Sequence, residues 1–139
     1  MGQQQLLLLV LSIVLVGLAV FVGIEMWGEA SRHDRADDLL SQNIRIAQEA
    51  VQWRGRDRMY GGGGGALGTF DGLATNGFGV MEISHTTPTT EHAIVSASGL
   101  TLEIVGVSTV HPEIGSYVRI QGSAIDSTSV QYDGSITIP

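Results

Sequence analysis

Apolar residues dominate the beginning of the chain. A run of 19 residues without a charged side chain extends from Leu6 to Ile24. As an α-helix rising ~1.5 Å per residue, this run spans ~28 Å, close to the ~30 Å of a bilayer's hydrocarbon core. The pattern therefore predicts a helix that can lie across a membrane.

Three explanations of the apolar run are open. A cleaved signal peptide would use a site near residues 28–30, but it needs a basic leader and an apolar core of ~7 to 15 residues, whereas uncharged Gln3, Gln4 and Gln5 precede this longer run. A plain membrane anchor needs only the length. The arginines that follow it favour a cytoplasmic C terminus only weakly, because acids lie between them. The third explanation is assembly with other helices.

The helical pattern continues beyond the run to about Arg54. Apolar residues there form two neighbouring rows at spacings of three and four. Together the rows cover an arc of roughly 180°, whereas one packed sheet covers ~100°. Either both rows pack against a single domain, or one of them contacts the helix of a neighbouring copy. The first row is Ala36, Leu40, Ile44, Ala47 and Val51, and the second is Leu39, Ile46, Ala50 and Trp53.

A glycine-rich segment follows, with five consecutive glycines at 61–65. Glycine lets a backbone lie flat against other surfaces, so residues 55–78 are predicted to connect the helix to a sheet. A phosphate-binding loop is excluded, because no lysine followed by serine or threonine comes after the glycines and no strand precedes them.

From Phe78 onward the apolar period changes to two, which predicts an antiparallel meander with one buried face. The Asp133-Gly134 dipeptide predicts a terminal hairpin. So small a sheet is marginal alone, and the apolar face of the helix should complete its core. The predicted strands are 79–84, 91–98, 100–107, 116–122, 129–132 and 135–138.

These elements predict an α+β fold, in which a long N-terminal helix packs on a small antiparallel β-sheet domain. The helix occupies residues 1–54, with an apolar part at 6–24 and an amphipathic part at 25–54. The glycine-rich loop occupies 55–78, and the β-domain occupies 79–139.

Charge and composition exclude several functions. The chain has a formal net charge of −7, no lysine and no cysteine, and residues 59–139 contain Arg119 as their single arginine against seven acids. An acidic surface repels phosphate backbones, which argues against nucleic-acid binding. Without cysteine there are neither disulfides nor thiolate ligands.

The remaining polar residues show no catalytic pattern. His33, His85, His92 and His111 lack a spacing for shared metal ligation and are predicted to be solvated. The dense serines and threonines of the C-terminal half fit β-propensity and turns, with O-glycosylation as the alternative. No nucleophile elbow occurs. We expect no enzyme activity, cofactor or metal.

The N-terminal half resembles a known family. The Gly2-Gln3 junction, then Gln4, Gln5 and the run LLLLVLSIVLVGLAVFVGI, with an amphipathic continuation and a β-rich C-terminal half, is similar to type IV pilins and their relatives. In that family a prepilin peptidase cuts after the glycine that directly precedes the apolar helix. The mature helices then bundle into a filament core, with the β-domains outside.

The resemblance implies processing between Gly2 and Gln3. Only Met1 precedes Gly2, where pilins usually have a basic leader, so cleavage and no cleavage both remain open. Leu7 stands where bacterial pilins usually have a glutamate. By the same resemblance the polymerisation core consists of Leu7, Leu8, Val10, Leu11, Val14, Leu15, Leu18, Phe21 and Val22, and the loop contributes Tyr60 and Phe70 as subunit contacts.

The expected function is a structural subunit of an extracellular type IV pilus-like filament. Its partners would be many copies of itself, the inner or cytoplasmic membrane before assembly, and a prepilin peptidase with assembly machinery. The alternative is a single-pass membrane-anchored periplasmic or surface binding module that does not polymerise.

Overall fold

The computed structural model describes residues 2–75 and 77–139. It divides into two compact units, one ending at Asp34 and the other comprising Arg35–Pro139. The first helix, α1, covers Gly2–Gly55 and so belongs to both units. This confirms the predicted helix and its end near Arg54. The first unit contains only the N-terminal part of α1, whereas the second holds the rest of the described structure.

The second unit has an α+β fold, as predicted. Its four strands form one antiparallel sheet in chain order: β1 (Thr90–Ser98), β2 (Thr101–Ser108), β3 (Gly115–Gln121) and β4 (Ala124–Gln131). The C-terminal part of α1 packs on this sheet, an arrangement consistent with a pilin-like fold. The largest buried cluster consists of Ile46, Ala47, Ala50, Trp53, Phe70, Leu73, Leu102, Ile104, Val118 and Ile120.

The two apolar rows of α1 are buried to different degrees. Leu39, Ile46, Ala50 and Trp53 are buried, and Asn43 lies within the same row. In the other row Leu40, Ile44 and Val51 pack against the core while remaining partly exposed. The other two residues of this row, Ala36 and Ala47, are buried. The folded domain therefore covers the second row fully and this row in large part.

The glycine-rich segment is folded tightly against the end of α1. The Trp53 carbonyl accepts the Gly63 amide at 3.0 Å, and the Trp53 indole N–H donates to the Gly61 carbonyl at 2.9 Å. A Cβ on Gly63 would lie 2.9 Å from the Arg54 Cα and from the Trp53 ring. The glycines permit this close approach, as the sequence predicts.

Two predicted strands are wrong. In place of 79–84 the chain forms one helical turn, α2 (Gly77–Met81), which is followed by Glu82 with a positive φ of 58°. The second wrong strand is 135–138, which is not a strand, whereas residues 129–131 of the predicted strand 129–132 form the end of the longer β4. Asp133-Gly134 does turn, but the Gly134 amide donates to the Glu113 carbonyl at 2.9 Å rather than closing a hairpin. The C-terminal segment consequently lies beside Gly115, where Ile136 packs.

Candidate polymerisation surface

The apolar run is exposed along its whole length. All fifteen of its large hydrophobic side chains, from Leu6 to Ile24, have at least half of their surface accessible. Its one polar side chain, Ser12, donates to the Leu8 carbonyl at 2.8 Å and so is satisfied within the helix. The helix therefore presents a purely apolar surface that no part of the described chain covers.

Each residue predicted for the polymerisation core lies on this surface. Leu11, Val14 and Val22 are about half exposed, and Leu7 is 67% exposed. Gly2 and Gln3, the predicted processing junction, lie exposed in the first turn of α1. A Cβ added to Gly17 or Gly23 would meet no other part of the described chain within 4 Å. Packing inside the chain therefore does not require glycine at either position, and both leave room for the close approach of another helix.

Within the described residues, one helix, α1, is long and apolar enough in its N-terminal part to cross a membrane. This confirms the sequence expectation at the level of length and composition. The run is therefore compatible with membrane insertion.

The two residues predicted as subunit contacts differ in exposure. Tyr60 is 77% exposed and available to a neighbour. Phe70 is completely buried, and the Arg54 guanidinium lies over its ring, 5.4 Å from the centroid. The ring of Phe70 therefore packs in the core of its own chain, and the subunit contacts of this loop stay a prediction.

A buried polar network joins α1 to the sheet, and the sequence did not indicate it. His92 on β1 is 3% exposed. Its Nδ1 lies 2.6 Å from Asn43 Oδ1 and its Nε2 lies 3.1 Å from Gln42 Oε1. Gln42 Oε1 accepts the Thr90 hydroxyl at 2.7 Å, and the Asn43 amide contacts the Ser116 side chain. The prediction of a solvated His92 is wrong, because these amides replace water around its ring.

Burial is the main reason that the His92 pKa falls from 6.5 to about 4. Electrostatic repulsion from His85 lowers the pKa of His92 further, whereas attraction to the Asp38 carboxylate raises it. The ring is therefore neutral at pH 7. The neutral ring donates its Nδ1–H to Asn43 Oδ1, and this contact ties α1 to β1.

Among residues 2–75 and 77–139, no group of three or more histidine, aspartate or glutamate side chains converges to hold a metal ion. Comparison with known proteins gives no match for the chain: no family model, no curated protein and no solved structure matches it.

Proposed function

We propose that this chain is a structural subunit of an extracellular type IV pilus-like filament, polymerising through its apolar N-terminal helix. The observation that supports the proposal is the exposure of all fifteen large apolar side chains of the run, on a helix attached to a folded, acidic domain. Its partners are further copies of itself, held in the inner or cytoplasmic membrane before assembly. Its other partners are a prepilin peptidase that acts at Gly2-Gln3 and an assembly machinery. Neither catalysis nor nucleic-acid binding is part of the role.

Polymerisation follows from the need to keep the apolar surface of residues 6–24 away from water. Leaving each such side chain in water costs ~1.5 to 3 kcal/mol. Lipid tails cover the surface as well as other helices do, so the helix gains no hydrophobic energy by leaving the bilayer. Once outside, however, only packing against other copies shields it. The bundle is consequently very hard to dissociate in water.

The partly exposed side chains of Leu40, Ile44 and Val51 support contacts beyond the bilayer. A monomeric anchored module leaves these side chains partly in water, whereas a bundle of helices continuing past the membrane covers them. The fold of residues 35–139, a helix on an antiparallel sheet, agrees with the resemblance to pilins.

Shearing of cells tests the proposal. Material released from the surface is imaged by electron microscopy, and its subunit is identified by mass spectrometry. Filaments containing this chain, with residues 6–24 retained, are expected. Recovery only from membranes as a dispersed monomer would favour the anchored binding module instead.

A truncation supplies the matched control. Deleting residues 1–27 removes the apolar run and should give a soluble product that forms no filaments. A truncated chain that still polymerises would contradict the assignment of the run as the polymerisation surface.

A further inference from the structure

Trp27 lies just beyond the apolar run and projects from α1. Its side chain is 78% exposed, and that of the neighbouring Met26 is 69% exposed. The second tryptophan differs: Trp53 is buried, and its indole N–H donates to the Gly61 carbonyl at 2.9 Å. Within the part of the chain that the structure describes, the Trp27 indole has no hydrogen-bond partner. A large apolar ring with an unused donor suits a boundary between an apolar and a wet region.

The helix geometry directs this ring towards the end of the run. Trp27 follows Ile24 by three positions, or ~4.5 Å along the helix axis. Helical side chains tilt towards the N terminus of their helix, so the ring points back towards the run. Glu25 is two positions away, ~200° around the helix, and therefore lies on the opposite face. The turn that follows the run consequently has an aromatic ring on one face and a carboxylate on the other.

The two ends of the run differ in charge. On the C-terminal side Glu25 is followed by the charged residues Glu29, Arg32 and Asp34, whereas residues 3–5 on the N-terminal side are neutral glutamines. Charged side chains are costly in hydrocarbon, and neutral amides resist it less. The C-terminal end of the run therefore has to stay at the membrane surface, where Trp27 lies.

The length of the run indicates the level of the indole in a bilayer. With residues 6–24 in the hydrocarbon core, ~28 Å of helix matches its ~30 Å. Trp27 is then at the level of the lipid carbonyl and glycerol groups, where tryptophan is enriched in membrane proteins. Lipid carbonyls accept the indole N–H while the ring stays against the acyl chains. A protein neighbour has to supply both features at one point, whereas every phospholipid already has them.

We propose that Trp27 binds the carbonyl and glycerol region of phospholipids and sets the depth of α1 in the membrane from the C-terminal end of the run. The inference rests on the membrane stage of the proposed function and names the residue that positions the helix there. Residues 2–5, at the other end, contain no aromatic side chain. Moving the indole along α1 should therefore move the helix through the bilayer.

Fluorescence of the full chain in phosphatidylcholine vesicles locates the indole. The emission of Trp27 is the difference between the parent and Trp27→Phe, since Trp53 contributes to both. Lipids brominated near the carbonyl end of their acyl chains should quench this difference signal more strongly than lipids brominated near the chain terminus. Aqueous iodide should quench it weakly. Strong iodide quenching would put the ring in water and overturn the proposal, leaving a neighbouring copy as its partner.

A spin label measures the depth of the helix, because the chain has no native cysteine. Val22→Cys carries the label, and its collisions with oxygen and with a water-soluble nickel complex report its depth. Trp27→Ala should shift the label by at least ~1.5 Å, the rise of one residue. Moving the indole three positions, with Trp27→Ala and Ala30→Trp together, should draw the label deeper by ~1.5 to 4.5 Å. The control Met26→Ala removes a similarly exposed side chain and should leave the depth unchanged.

Equal label depths in the parent and in both tryptophan variants would overturn the proposal, and so would a shift of the same size in Met26→Ala. The proposed function fails by a different result. A full chain that does not enter the vesicles removes the membrane stage of filament assembly together with the anchor. Insertion with an unchanged depth removes only the role of Trp27.

Discussion

Acid should destabilise the folded domain through His92. The folded-state pKa of about 4 lies below the ordinary value of 6.5, so between these values the unfolded chain binds a proton that the folded chain does not. The stabilising contribution of the neutral ring is therefore complete above pH 6.5 and is lost as the pH falls towards 4.

The size of the loss follows from the same two values. At ~1.36 kcal/mol per pKa unit, the shift of 2.5 units corresponds to a limit of ~3.4 kcal/mol. At pH 4.5 linkage gives about 2.5 kcal/mol. Both figures are upper values, because a protonated Nε2 would donate to Gln42 Oε1, which lies 3.1 Å away.

Tryptophan fluorescence provides the assay. Trp53 is buried in the core and reports its unfolding, whereas Trp27 is 78% exposed and is replaced by phenylalanine to remove its signal. Urea unfolding of the full chain in mild detergent at pH 7 and pH 4.5 should show the decrease. His92→Gln should be less stable at pH 7 but should lose about 2.5 kcal/mol less than its parent on acidification. His111→Gln, at a partly exposed position outside the network, is the matched control.

Equal losses of stability in the parent and in His92→Gln would refute the reasoning. The acid sensitivity would then come from carboxylates, and the buried network would not hold a neutral imidazole.

Three substitutions test the packing around this core by the same urea assay. Gly106→Ala should cost about 1 to 3 kcal/mol, because its Cβ would lie 2.5 Å from His92 Nδ1 across the sheet. Gly63→Ala should destabilise by a similar amount, whereas the control Gly55→Ala, with no atom within 4 Å, should be neutral or slightly stabilising. Phe70→Ala should cost about 3 to 5 kcal/mol as a core truncation, and an effect below 1 kcal/mol would contradict its burial.

The long helix and the central hairpin were predictable because their signals are local. Leu102 and Ile104 alternate with polar neighbours, and they are fully buried residues of β2. The same reasoning failed at 79–84, since an alternation this short also fits one turn of helix. Here α2 closes with the Ile83 amide donating to the Phe78 carbonyl at 3.0 Å.

The buried network was not predictable from pattern alone. Asn43 occupies a core position between Leu39 and Ile46, where an apolar residue is expected, and a polar residue there is the one signal available. Its partners lie 49 positions away at His92 and 73 positions away at Ser116. Only the fold brings these residues together. The same is true of the turn at Asp133-Gly134, where the Gly134 amide donates to the Glu113 carbonyl.

Cryo-electron microscopy of the material sheared from cells tests the central claim most directly. We expect a helical filament in which residues 6–24 line the axis and contact the same residues of other copies, with residues 35–139 outside. A structure in which this helix lies singly in lipid or detergent, or a mature subunit that lacks it, would contradict the assignment of the chain as a filament subunit.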